Sequence, residues 1–181
     1  MPAFHDRPDA FTAAECDAIV ALASGWALEQ ATVFDGARDH VDSRQRQAER
    51  CYWGREVAGG WIHARLDTLF AEAAERFELA VDPLFEDIQF VRYAVGAHFQ
   101  TWHSDAGIDR HDLRRISVSV ELSDAGDYDG GVLEITPAVG LPRTLPPGGA
   151  RLFLSRAIHR VTPVTRGVRH ALVAWAGRQG G

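Results

Sequence analysis

From Phe85 to the C-terminus the chain is written in short strands, and this half restricts the fold more than any other feature. The runs DIQFVRYAV (87–95), ISVSVEL (116–122), GGVLEITPA (130–138), ARLFLS (150–155) and HALVAWAG (170–177) are β-branched or aromatic and are punctuated by Gly, Pro or Asp. Residues 116–122 alternate apolar and polar side chains, the pattern of a half-buried strand. Upstream the period changes. Thr12 with Glu15 forms a capping box, Phe11 sits at the hydrophobic-staple position, and Ile19, Val20 and Leu22 continue one face, which predicts a helix over 12–22. Trp61, Leu66, Leu69, Phe70 and Phe77 recur at helical spacing and predict a second helix over 61–77. Between the helices, the charged stretch 35–50 has no clear period and is expected to be a loop or mobile segment. Helices followed by many short strands imply an α+β chain with a β-sandwich or barrel core.

At 181 residues, 46% hydrophobic and 24% charged, the chain is expected to form one domain able to bury a full core. No run approaches the roughly 18 apolar residues of a membrane helix. The opening MPAFHDRPDAF has neither a basic start nor an apolar stretch, so a secretory signal is not expected. Cys16 and Cys51 could form one bridge at most, and without an export signal they read as reduced thiols of a cytoplasmic protein. A formal net charge of −6 opposes nucleic acid as a partner. The local basic spots Arg44, Arg46 and Arg50, and Arg114–Arg115, are expected to be solvated faces.

Chemistry enters with His103-Ser-Asp105, His159 and Arg169. Two imidazoles and a carboxylate can occupy one face of a metal and leave three positions open, an arrangement that suits non-haem Fe(II). The H-x-D triplet alone means little, because 8 His and 15 Asp in 181 residues give about 0.7 such triplets by chance. A second one, His40-Val-Asp42, lies in the polar stretch without a strand pattern and serves as the chance example. His103 and Asp105 instead follow a strand ending near Gly96, and residues i and i+2 of an extended chain point to one side. His159 follows the strand run 150–155, and Arg169 lies past the turn signals Pro163 and Gly167. Gly130–Gly131 suits either a hairpin turn or a close backbone approach, and Trp102 and Trp175 read as structural.

Tyr93-x-x-Gly96-x-x-Phe99-x-x-x-His103-x-Asp105, Asp129-Gly-Gly-Val-Leu-Glu-Ile135, Gly149-Ala-Arg-Leu-Phe153 and His159-Arg-Val-Thr-Pro-Val-Thr-Arg-Gly-Val-Arg169 together resemble the Fe(II)/2-oxoglutarate dioxygenases. The nearest branch is the prolyl 4-hydroxylase-like group, including the PKHD-type hydroxylases, and Arg46–Trp53 is similar to an N-terminal strand of that group. The resemblance implies a double-stranded β-helix, or jelly roll, as the catalytic core over 85–178, with residues 1–80 as a helical support carrying a strand or two. It implies His103, Asp105 and His159 as ligands of Fe(II), and Arg169 as the partner of the distal carboxylate of 2-oxoglutarate, with Tyr93 beside it. O2 would be the oxidant and ascorbate a reductant. Hydroxylation with release of succinate and CO2 follows, since halogenating relatives carry a small residue where this chain has Asp105.

By analogy with the branch, the substrate is a prolyl or other amino-acyl group of an amino acid or peptide. Arg46, Asp109 and His111, together with Arg38, are the candidates to contact it, from segments 35–50 and 104–115 that flank the expected barrel mouth. PKHD-type relatives continue past the final strand, so contacts made by that extension are not carried over to this sequence, and the short N-terminal part favours a small substrate or exposed peptide over a large folded partner. Two alternatives stand beside this reading: a dioxygenase of small metabolites, and a ligand-binding jelly roll without catalysis.

Overall fold

Period-two alternation divides the strand residues between two faces of one large sheet, and each face has its own cover. The computed structural model describes residues 4–107, 113–136 and 144–178. In chain order the elements are β1 (Phe4–Arg7), α1 (Ala13–Ala23), β2 (Glu29–Gln30), β3 (Val33–Phe34), β4 (Asp39–His40), β5 (Glu49–Trp53), α2 (Trp61–Phe77), β6 (Ile88–Tyr93) and β7 (Phe99–His103). They continue as β8 (Arg114–Glu121), β9 (Tyr128–Gly130), β10 (Leu133–Thr136), β11 (Ala150–Leu154), β12 (Ile158–Val161), β13 (Val164–Gly167) and β14 (Arg169–Gly177). Seven strands form the main sheet in the order β1-β11-β8-β14-β6-β5-β2, and β10-β12-β7 form a three-stranded sheet. Every strand pair is antiparallel.

Both helices lie on one face of the main sheet. Thr12 closes the capping box seen in the sequence: its hydroxyl accepts from Glu15 N at 3.1 Å, and Glu15 accepts from Thr12 N at 2.8 Å. The α2 stripe of Ile62, Leu66, Leu69, Phe70 and Phe77 packs against Trp53, Phe90, Val118 and Leu172 of the sheet. Leu66 is fully buried and Phe70 nearly so, and each such side chain contributes roughly 1.5–3 kcal/mol. The opposite face of the sheet looks toward the three-stranded sheet, with Val91, Tyr93, Val161 and Val164 in a second apolar cluster. A cavity opens between the two sheets.

The stretch 35–50 departs from expectation. Residues 33–34 and 39–40 pair as a hairpin, and Glu49 and Arg50 already belong to β5. The turn is built by Asp35, whose carboxylate accepts from the amides of Ala37 and Arg38 at 2.9 Å each, with Gly36 at φ +93°. The basic spots differ as well. Arg44 and Arg115 are exposed, but Arg46 and Arg50 are buried, and Arg114 binds Glu86 and covers the Trp175 ring at 3.7 Å. Residues 116–122 also lack a solvent face, because Ser117 and Glu121 are buried. The polar side of that strand is used inside the protein instead: Ser119 lines the cavity, Ser117 bonds Asp105 and Glu121 bonds Arg169. Cys16 and Cys51 are unbridged and buried. Among the described residues no helix is long and apolar enough to cross a membrane.

Candidate metal centre

His103 ends β7, and His159 lies directly opposite it on β12. Asp105 follows just beyond the end of β7, rather than on the strand. Backbone hydrogen bonding puts it there, since Asp105 N donates to Ser155 O at 2.9 Å. The carboxylate then stands between the imidazoles, with Oδ1 3.8 Å from His103 Nε2 and Oδ2 3.5 Å from His159 Nε2. One ligand atom from each of the three residues lies within 4.8 Å of the others, and among the described residues no other group of His, Cys, Asp and Glu is so arranged.

The rings are oriented from behind. His103 Nδ1–H donates to Thr101 O at 2.8 Å and His159 Nδ1–H to Ala157 O at 3.0 Å. That tautomer leaves a lone pair on each Nε2, aimed at the shared point. Ser117 Oγ–H donates to Asp105 Oδ2 at 2.7 Å, and Ser155 Oγ lies 3.0 Å from Ser117 Oγ. Phe99 stacks on His103 with ring centres 3.6 Å apart, and Phe153 meets His159 edge-on at 4.8 Å.

Electrostatics agree with the geometry. Burial alone would raise the Asp105 carboxyl, but His159, His103 and the Ser117 hydroxyl outweigh it and hold the group well below the usual carboxylate range. Burial, helped by His159, pushes the His103 imidazole down to about 4. For His159 burial is opposed by the stronger pull of Asp105, and its value rises. An ionised carboxylate and two fixed imidazoles form a two-nitrogen, one-oxygen face, which fits Fe(II) and leaves positions for other ligands.

The centre lies on the wall of a cavity of about 320 Å³ that Arg169, Tyr93, Arg46, Arg50 and Trp175 also line. Arg169 and Tyr93 face each other in register on β14 and β6, and the guanidinium sits 5.5 Å from the tyrosine ring centre. Arg169 Nε donates to Glu121 Oε2 at 2.9 Å, and Tyr128 O–H donates to the same oxygen at 3.0 Å. Burial works against the Arg169 charge, but Glu121 and the two tyrosines more than offset it and raise its value. Gly130 and Gly131, at φ +77° and +60°, bring the backbone close: a Cβ on Gly130 would lie 2.1 Å from Pro163 O, and one on Gly131 3.1 Å from Arg169 Cδ.

The structure thus gathers His103, Asp105, His159, Arg169, Tyr93 and Arg46 around one cavity. Arg38 is exposed on the β3–β4 turn, and Asp109 and His111 lie outside the described residues. The His40-x-Asp42 triplet is local: Asp42 accepts from Arg44 N, Arg44 Nε and Gln45 Nε2 and caps a turn. Trp102 is 43% exposed beneath Arg160, whereas Trp175 is a cavity wall rather than packing alone. Sequence reasoning missed Ser117, Glu121, Gln89 and Arg50. The signal for the first two was present, since Ser117, Ser119 and Glu121 share one strand face with a mid-strand acid that a solvent-facing reading leaves unused.

Residues 88–177 match the 2OG-Fe(II) oxygenase superfamily. A PKHD-type hydroxylase from Synechococcus sp. (strain JA-2-3B'a(2-13)) is 38% identical over 130 residues, which cover 67% of this chain and 58% of that protein. A PKHD-type hydroxylase from Burkholderia thailandensis is 33% identical over 161 residues, covering 84% of this chain and 67% of the relative. The chain therefore spans under two thirds of the Synechococcus relative, at 58%. Among solved structures, a Pseudomonas putida prolyl-4-hydroxylase superposes with a TM-score of 0.78 at 21% identity, over 98% of this chain and 94% of that one. A Trichoplax adhaerens prolyl hydroxylase, solved with a hypoxia inducible factor peptide fragment, gives 0.76 at 18% identity over 97% and 83%. At these identities the likeness is one of fold.

Proposed function

Given that this chain belongs to the 2OG-Fe(II) oxygenase superfamily, we propose that it is an Fe(II)- and 2-oxoglutarate-dependent dioxygenase. In this reading it hydroxylates an unactivated C–H bond of a prolyl or other amino-acyl substrate, an amino acid or peptide, and releases succinate and CO2. One observation carries the proposal: the two Nε2 atoms and the Asp105 carboxylate converge on the wall of a cavity that Arg169 also lines.

Iron bound with 2-oxoglutarate and O2 supplies the oxidation, with ascorbate as the external reductant. The chain's own residues do the rest. His103, Asp105 and His159 would hold the metal, and the carbonyls of Thr101 and Ala157 keep both imidazoles in the ligating tautomer. Ser117 fixes one carboxylate oxygen of Asp105. Arg169 uses its Nε for Glu121, so its terminal nitrogens remain for the distal carboxylate of 2-oxoglutarate. Tyr93 flanks that guanidinium. Leu133, Val161, Ala171 and Val173 supply an apolar part of the cavity wall. Arg46 is the proposed substrate contact.

The two facing sheets are read as a double-stranded β-helix over 85–178, supported by residues 1–80 within one domain. Two buried, unbridged cysteines favour a cytoplasmic site of action. The test is turnover of 2-oxoglutarate to succinate by anaerobically Fe(II)-loaded protein on exposure to O2. Wild type is expected to turn over, His103→Ala to be silent and Arg169→Ala to be weakened. Absence of Mn(II) and 2-oxoglutarate binding by calorimetry overturns the reading.

A further inference from the structure

We propose that the primary substrate carries a carboxylate that docks on a buried pair of guanidinium groups, Arg46 and Arg50, in the wall of the same cavity. The inference rests on the dioxygenase reading and adds a substrate class to it.

Both side chains line the cavity with the metal centre, yet Arg46 is 9% and Arg50 7% exposed. Arg46 donates through its terminal nitrogens to Thr32 O at 3.2 Å and to Gln89 Oε1 at 3.3 Å. Arg50 donates to Thr32 Oγ1 at 2.7 Å. All three acceptors are neutral. The Nε atoms of both arginines are buried without a hydrogen-bond partner among the described residues. Their flat faces are fixed by aromatic rings, Arg46 over Phe99 at 4.8 Å and Arg50 over Tyr52 at 4.7 Å. Among the described residues no carboxylate hydrogen-bonds either guanidinium: the Arg50–Glu29 ion pair is long, at 3.9 Å from Nε, and its acid is 65% exposed.

The other two buried arginines among the described residues are treated differently. Arg169 pairs with Glu121 and Arg151 with Asp6, each through a direct hydrogen bond to a carboxylate. Arg46 and Arg50 share Thr32 instead, so two like charges sit side by side out of water. That arrangement is costly unless an anion arrives to compensate it, and a guanidinium fork binds carboxylates in two-point fashion. Burial and the neighbouring Arg50 both disfavour the Arg46 charge, although nearby tyrosines and Asp105 support it. The site also adjoins the chemistry. Phe99, beneath Arg46, stacks directly on His103 at 3.6 Å. A carboxylate held there leaves the reacting carbon a few bonds away, as in an amino acid or a short acidic peptide.

The experiment is calorimetry on protein loaded with Mn(II) and saturating 2-oxoglutarate under nitrogen, so that nothing turns over and the Arg169 site is filled. The probes are two acid–amide pairs: N-acetylproline with its amide, and acetyl-Asp-Pro-amide with acetyl-Asn-Pro-amide. At least one acid is expected to bind ten-fold or more tightly than its neutral partner. Arg46→Gln and Arg50→Gln should each erase that advantage, and the charge-keeping Arg50→Lys should retain part of it. Preference in the first pair identifies an α-carboxylate, and preference in the second an acidic side chain. Equal binding within both pairs, or an advantage that survives both Gln substitutions, overturns the proposal. Failure of Mn(II) and 2-oxoglutarate to bind overturns this and the dioxygenase reading together; their binding without acid preference overturns this alone. A second readout is thermal. Arg46→Met removes a buried charge that no carboxylate hydrogen-bonds and should raise the melting temperature of ligand-free protein, where a merely structural arginine would lower it.

Discussion

Glu121 and Arg169 form an ion pair 2.9 Å long in which each side chain is only 5% exposed. Such a pair is weak evidence of net stability, but breaking it strands a buried charge. Glu121→Ala is therefore expected to cost about 3–5 kcal/mol in urea unfolding. Glu121→Gln should cost less, because an amide oxygen still accepts from Arg169 and Tyr128. Saturating 2-oxoglutarate should restore more of the melting temperature in Glu121→Ala than it adds to wild type, since its carboxylate can replace the missing one. Equal shifts in the two proteins would mean that Arg169 does not meet the ligand.

Ser117 touches no proposed substrate, yet it fixes Asp105 through a 2.7 Å hydrogen bond. Groups that orient metal ligands typically carry about 10–100-fold in affinity. Ser117→Ala should weaken Mn(II) binding by at least about ten-fold, while changing global stability by only about 1 kcal/mol. Electron paramagnetic resonance of Mn(II) titrations measures the first, and denaturant unfolding the second. Unchanged Mn(II) affinity would reduce Ser117 to packing.

Gly131 lies at φ +60°, and a Cβ there would meet Arg169 Cδ at 3.1 Å and Val164 Cγ2 at 3.0 Å. Gly131→Ala combines backbone strain of about 1–3 kcal/mol with a push on the guanidinium. The expected signature is selective: weaker 2-oxoglutarate binding with Mn(II) binding retained, both read by calorimetry. Parallel loss of both would point to general unfolding instead.

Glu15 shows how acid acts on the helical layer. Its carboxyl is held below the ordinary value by Arg65 first and by the Thr12 amide second. A carboxyl depressed in the folded state adds stability above its unfolded value, and that stability is lost as pH falls through the folded one. Wild type should therefore lose stability more steeply than Glu15→Gln as pH falls below the ordinary carboxylate value. Urea midpoints at a series of pH values test this, and superimposable profiles would refute it.

Much of this layout was legible from residues alone, because the relevant signals were local or chemically rare. The period of Trp61, Leu66, Phe70 and Phe77 marks a helix that spans Trp61–Phe77. His103, Asp105, His159 and Arg169 stood out because no strand core needs that combination, and all four line one cavity. What escaped was polarity turned inward. Ser117 and Glu121 look like the wet side of a strand, and Arg46 and Arg50 look solvated, because composition rules assume that polar side chains face water. A cavity between sheets breaks that assumption: its wall is inside the protein and polar at once. The β3–β4 hairpin was missed for a different reason, since two-residue strands leave no periodic trace.

The cross-strand facing of His103 and His159 has a consequence for how such a protein can change. Far apart along the chain, they face each other on one rung of the ladder between neighbouring strands. Side chains elsewhere can be exchanged, and connecting segments rewritten, without retuning the distance between these two rings. The reactive hardware is thereby uncoupled from the parts that choose what reaches it. A lineage built on this ladder can wander among substrates while its metal-holding geometry stays still.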